Sequence, residues 1–237
     1  MDIPSSLAII SLAALVHASF QLSVSVLTLL GGHSIGAKHS QARLLRLISS
    51  FVFGAAVMTV LLLSFVSLTL IWVYGDTPPL VVWAAVSGLL VGVAVCIWLF
   101  YYRHDKGTAL WIPKSFALYL NDRTKATKLS AESFGLGLSS VLGELLFIIA
   151  PLLIAGLVLI QLPSVWQMIG IAIYTGISML SLIIVWVLIG SGHSLGKIQK
   201  WRESNKYFLQ FVSGAGLIVL VLFVYAVEIV GSTVGFN

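Results

Sequence analysis

The sequence predicts an all-α, polytopic membrane protein with six transmembrane helices. Three observations predict it. Of the 237 residues, 59% are hydrophobic and only 9% are charged, whereas a soluble domain carries about 25% charged residues. Six apolar stretches each reach the roughly 20 residues needed to cross a hydrocarbon core of about 30 Å. When those six are threaded through a bilayer, all 13 Lys and Arg residues fall on one side of it.

The stretches are Leu7–Leu30, Leu44–Tyr74, Leu80–Tyr101, Phe134–Gln161, Val165–Ile189 and Tyr207–Val230. The second is long enough to tilt or protrude. The breaks between them carry turn chemistry: Gly31-Gly32, Gly75-Asp76-Thr77-Pro78-Pro79, Leu162-Pro163-Ser164 and Gly190-Ser191-Gly192. Helices satisfy their backbone polar groups internally, as lipid requires. The stretches do not alternate as barrel strands would. The N-terminus, Met1-Asp2-Ile3-Pro4, has no basic region and no small-residue cleavage site, so the first stretch reads as a retained helix. The one cysteine, Cys96, excludes an internal disulfide framework and a CxxC redox motif.

Orientation follows from charge. Lys38, Arg43 and Arg46 follow the first stretch. Arg103, Lys106, Lys114, Arg123, Lys125 and Lys128 separate the third from the fourth, and Lys197, Lys200, Arg202 and Lys206 separate the fifth from the sixth. The opposite face has Asp2, Asp76 and Glu228 near it. Basic loops lie inside, so this is expected to be an integral plasma-membrane protein with both termini outside. A basic rim on anionic lipid at the cytoplasmic face accounts for the charge and leaves no need for nucleic acid as a partner.

Three segments divide the chain. Residues 1–101 hold the first three helices and 134–237 the last three, with a cytoplasmic loop at 102–133 between them. Within that loop Trp111, Phe116, Tyr119 and Leu120 mix with Lys114, Asp122 and Arg123, behind Pro113. The pattern predicts an amphipathic helix on the membrane surface, and also offers a face for docking a partner.

Two internal repeats are visible. Gly32-His33-Ser34-Ile35-Gly36 matches Gly192-His193-Ser194-Leu195-Gly196 at an offset of 160, and Phe51, Gly54 and Ala55 meet Phe211, Gly214 and Ala215 at the same offset. GxSxG also marks the nucleophile elbow of serine hydrolases, but that elbow needs a strand before the serine. These serines follow membrane helices. The readings left are a glycine-bounded turn capped by serine or paired cytoplasmic gates at His33 and His193. The second repeat aligns the first three helices with the last three. Phe20-Gln21-Leu22 falls on Gly143-Glu144-Leu145, Gly54 on Gly176, and Ser87-Gly88-Leu89-Leu90 on Ser213-Gly214-Ala215-Gly216, at offsets of 123, 122 and 126. An odd number of helices per unit makes the halves inverted, an arrangement that builds secondary transporters.

On that pattern the chain resembles the LysE/CcdA superfamily of six-helix membrane transporters. The resemblance implies an inverted three-plus-three fold. The paired cysteines of its redox branch are absent, Gln21 and Glu144 standing in the corresponding stretches, so it implies the exporter branch.

Ionisable residues inside a membrane mark function by default. Glu144 lies about ten residues into the fourth stretch, near mid-bilayer at about 1.5 Å per residue. His17 lies in the first, and Gln21 and Ser25 continue its face at i+4 and i+8. Ser140, Glu144, Phe147 and Pro151 share a face of the fourth. Packed together, these place His17, Gln21, Ser25, Ser140 and Glu144 in one solute- or ion-binding cluster able to exchange a proton. Pro151, Gly54 and Gly176 are the expected hinges. His33, His39, His104 and His193 lack metal-ligand spacing within a helix turn, so no metal and no cofactor is expected, and without a nucleophile–base pair no enzyme. Gly88 and Gly92 form a GxxxG packing face, and Trp72, Trp83, Trp98 and Trp166 an aromatic belt. The expected function is export of an unknown small solute by a secondary transporter. The alternative is a membrane scaffold, assembly or immunity factor that docks a partner through its cytoplasmic loop. A second copy of the chain, as a homodimer, is a further candidate partner.

Overall fold

A computed structural model describes residues 2–20, 22–35, 41–101, 114–191 and 195–230. Among the described residues the chain is helical and contains no strand. Four helices are long and apolar enough to cross a membrane alone: Ala42–Tyr74, Leu80–Phe100, Ser130–Leu159 and Lys206–Glu228. Two bent pairs bring the number to six if each pair is one span.

The first and fifth expected spans are these bent pairs. The first divides into α1 (Ile3–Ala18) and α2 (Leu22–Ile35), the second into α7 (Ser164–Ser178) and α8 (Leu180–Gly190). The bends are 48° and 49°. No proline or glycine stands at either break, so the sequence carries no breaker there. Kinks without proline arise where a side chain enters the hydrogen-bond ladder, and the first break has such a side chain.

The remaining elements follow local chemistry. Asp2 caps α1, accepting from the Ser5 backbone N–H at 3.4 Å. With the Ser5 contacts its carboxyl lies below the usual carboxylate range. The second span, α3 (Gln41–Tyr74), has 34 residues, about 51 Å at 1.5 Å per residue, so it outreaches a bilayer core. It ends at Gly75, whose φ of 70° turns the chain, and α4 (Leu80–Phe100) starts after Pro79. The expected surface helix is α5 (Lys114–Ala126). Leu120 and Thr124 are buried, and α5 packs on α2 and α6. Glu132 accepts from the Lys128 and Leu129 N–H groups at 2.7 and 3.0 Å, capping α6 (Ser130–Leu159). A further short helix, α9 (Leu195–Ser204), precedes α10 (Lys206–Val224), which runs into a π-helical turn at Tyr225–Val230.

Helix α6 is the centre of the molecule. It packs against α3 along most of its length and also meets α1, α2 and α4. Gly54 and Gly137 make that crossing close. A Cβ on Gly54 would overlap the Phe134 carbonyl oxygen, and one on Gly137 the Phe51 carbonyl oxygen. Ser133 Oγ adds a bond across the same crossing to Leu47 O at 2.6 Å.

Candidate functional site at two broken spans

The break between α1 and α2 frees backbone groups that lipid cannot satisfy. Side chains from three other helices take them. The Ala18 carbonyl accepts from Ser181 Oγ on α8. The Ser19 carbonyl accepts from Ser213 Oγ on α10 at 3.2 Å. On the far side, the Ser23 N–H donates to Glu144 Oε1 on α6 at 2.7 Å, and the Leu22 N–H faces the same carboxylate. A carboxylate is favoured at this position because the first turn of a helix carries unpaired donors and partial positive charge. Glu144 therefore sits in the gap of the first span as the acceptor for its second half.

The second break lies opposite the first. His17, Ser23 and Glu144 line a small cavity together with Ser178, Met179 and Ser181 from the α7–α8 bend. The cavity has room for about one water molecule. His17 and Glu144 are each 3% exposed. His17 Nδ1 lies 3.1 Å from the Tyr174 hydroxyl, the donor depending on the imidazole tautomer. Ser23 Oγ is buried close to Glu144 but makes no bond of hydrogen-bonding geometry.

The structure brings together part of the expected cluster. His17 and Glu144 share the cavity, but the partner of His17 is Tyr174 and that of Glu144 is the start of α2. Ser25 lies one turn along α2 and accepts from Arg202 Nη2 at 2.7 Å. Ser140 stays on its own helix, donating to Gly137 O at 2.8 Å. Pro151 is buried within α6, which runs unbroken through it. Gly54 is a helix-crossing residue, whereas Gly176 is exposed with nothing within 4 Å of a Cβ, so these two glycines sit in unlike environments. Gln21, His193 and the His33 side chain lie outside the described residues.

Sequence reasoning missed Ser23, Tyr174, Ser181, Ser213 and Arg202. One signal was available for Arg202. It repeats at i+4 with Ile198, Lys206 and Gln210, and all four are buried. Gln210 Nε2 donates to the Ile97 and Trp98 carbonyls at 2.6 and 2.9 Å, tying α10 to the end of α4. Arg202 thus belongs to a buried stripe rather than to the lipid-facing rim, and its charge acts on Glu144 from the Ser25 side.

No known protein family, curated protein or solved structure matches the chain.

Proposed function

We propose that all six spans cross the plasma membrane with both termini outside, and that the chain exports a small solute as a secondary transporter with Glu144 at its centre. The observation that carries this reading is the meeting of two discontinuous spans at one buried carboxylate. Transporter sites are commonly made from half-helix ends near the midplane, and irregular backbone inside a bilayer is tolerated where it lines a cavity. A helix serving only to anchor the chain has no use for a gap that three side chains must fill.

The geometry also suggests a coupling route. Glu144 holds the first turn of α2 through the Ser23 N–H. A proton or cationic solute arriving at the carboxylate competes with that N–H and loosens α2. Ligand binding then differs between two arrangements of the break, which is what a ligand needs to shift a conformational equilibrium. On the Ser25 side, Arg202 ties α9 to α2.

The site itself does not lean on the inverted three-plus-three alignment, because the glycines paired by that alignment have unlike surroundings; the direction, export, rests on the LysE/CcdA resemblance alone. The docking alternative draws less support, since α5 already packs on α2 and α6.

The test is flux. Proteoliposomes containing a pH dye are challenged with gradients of sodium, potassium, lysine, putrescine or glutamate. At least one probe should move protons in wild-type vesicles and not in Glu144→Gln vesicles. Identical traces for the two proteins with every probe would overturn the proposal.

A further inference from the structure

The offset of 160 recurs in the structure, where it had no reason to if the GHSxG match were chance. The first span breaks between Ala18 and Leu22, and adding 160 gives 178 and 182. The fifth breaks between Ser178 and Leu180, with a bend of 49° against 48°. Gly54 and Gly214, also 160 apart, are both close-approach positions. A Cβ on Gly54 would overlap the Phe134 backbone, and one on Gly214 the Trp98 indole.

The register of α1 against α7 carries the argument further. A Cβ on Gly170 would lie 3.1 Å from Ile10 Cδ1, a separation of 160 residues. His17 meets Tyr174 at a separation of 157, and Ala18 meets Ser181 at 163. Partner number rises with residue number, so the helices run parallel. Their register equals the repeat offset to within one turn. A two-fold axis passing between two copies brings residues against their own equivalents in this way. Each unit also leans on the other's second span, α1 on α10 and α7 on α3.

We infer that α1–α3 and α7–α10 are two copies of one hairpin unit, related by a two-fold axis along the membrane normal that runs down the α1–α7 seam. Parallel repeats of this kind, related by an axis along the normal, are one of the two ways transporters are built from duplications. The two breaks are then a matched pair of half-helix ends facing each other across the axis. Helices α4 and α6 are the partners on which the units pack, α10 on α4 and α3 on α6. The chemistry has diverged between copies. His17 and Ser23 correspond to Ile177 and Ile183, and Tyr174 to Ala14, so each copy supplies different groups to one shared site.

A two-fold axis requires equal crossed distances, and this can be measured. Ala8 and Phe65 correspond to Met168 and Tyr225, and all four are exposed. Spin labels are placed pairwise at these positions in the full chain, in lipid nanodiscs, with Cys96→Ser as background. The inference requires the Ala8–Tyr225 and Met168–Phe65 distance distributions to overlap, and likewise Ala8–Phe65 and Met168–Tyr225. Crossed distributions that do not overlap would overturn it. Pro4 and Ser164, again exposed equivalents, replace Ala8 and Met168 if either label disturbs folding. The distances carry no flux readout, so the repeat and the transport proposal stand or fall separately.

Discussion

Replacing Glu144 by alanine should unlatch the second half of the first span. The Ser23 N–H now donates to Glu144 Oε1 at 2.7 Å in a site where Glu144 is 3% exposed and Ser23 4%. Glu144→Ala leaves that N–H buried without its acceptor, and a buried unsatisfied donor costs about 1–3 kcal/mol. For a chain of this size each kcal/mol lowers the unfolding temperature by about 2–4 °C, so the loss is roughly 2–12 °C. Glu144→Gln keeps an acceptor oxygen on the same stem, so most of that loss should be absent. Thermal unfolding in detergent measures both. Hydrogen exchange localises the effect, which should be faster at 22–24 in Glu144→Ala than in Glu144→Gln. An alanine variant as stable as wild type would refute the capping argument. So would a glutamine variant that loses as much as alanine.

Three further outcomes are expected. Gly54→Ala should destabilise by about 1–3 kcal/mol, the range for overpacking, because its Cβ meets the Phe134 backbone, which cannot rotate away. Gly88→Ala, with nothing within 4 Å, is the matched control that should leave the melting temperature unchanged. Ser181→Ala and Ser213→Ala each remove the donor on a carbonyl freed at the first break. Each should cost about 1 kcal/mol and speed exchange around residues 19–23, while exchange within α4 stays as it was. Finally, cysteines at Thr77 and Lys125 probe orientation. An impermeant thiol reagent on intact cells should label Thr77→Cys and spare Lys125→Cys, and the opposite pattern would reverse the topology.

The fold class was legible because it depends on summed properties. Few charges and long apolar runs leave only helices as elements able to cross a bilayer. The helix at Lys114–Ala126 was legible from its mixed apolar and basic face. The breaks were not. Neither contains proline or glycine. The first is held open by Glu144, Ser181 and Ser213, which lie more than 100 residues along the chain. Local pattern has no access to such contacts. Glu144 itself could be singled out from depth alone, but its partner could not, because a backbone N–H has no letter in a sequence. Arg202 was hidden by a general expectation. A basic residue near a helix end reads as membrane rim, and only its i+4 series with Lys206 and Gln210 marks it as buried. The GHSxG match was visible as an expected pair of turns, but residues 32–35 of the first copy are helical, the end of α2. Its extension to paired broken spans needed the structure, since the residues at the two breaks are unlike.

The central claim is that the Glu144 cavity opens to both sides of the membrane in turn, and Ser23 reports on it most directly. Its side chain lines the cavity beside Glu144 and makes no hydrogen bond. Its backbone bond survives substitution of the side chain. Ser23→Cys in a Cys96→Ser background is reconstituted in vesicles of known orientation and exposed to an impermeant thiol reagent from one face and then, in a separate sample, from the other. Alternating access predicts labelling from both faces, with wild-type stability retained. A cysteine that reacts from one face only, or from neither, would contradict a transport site between the two broken spans.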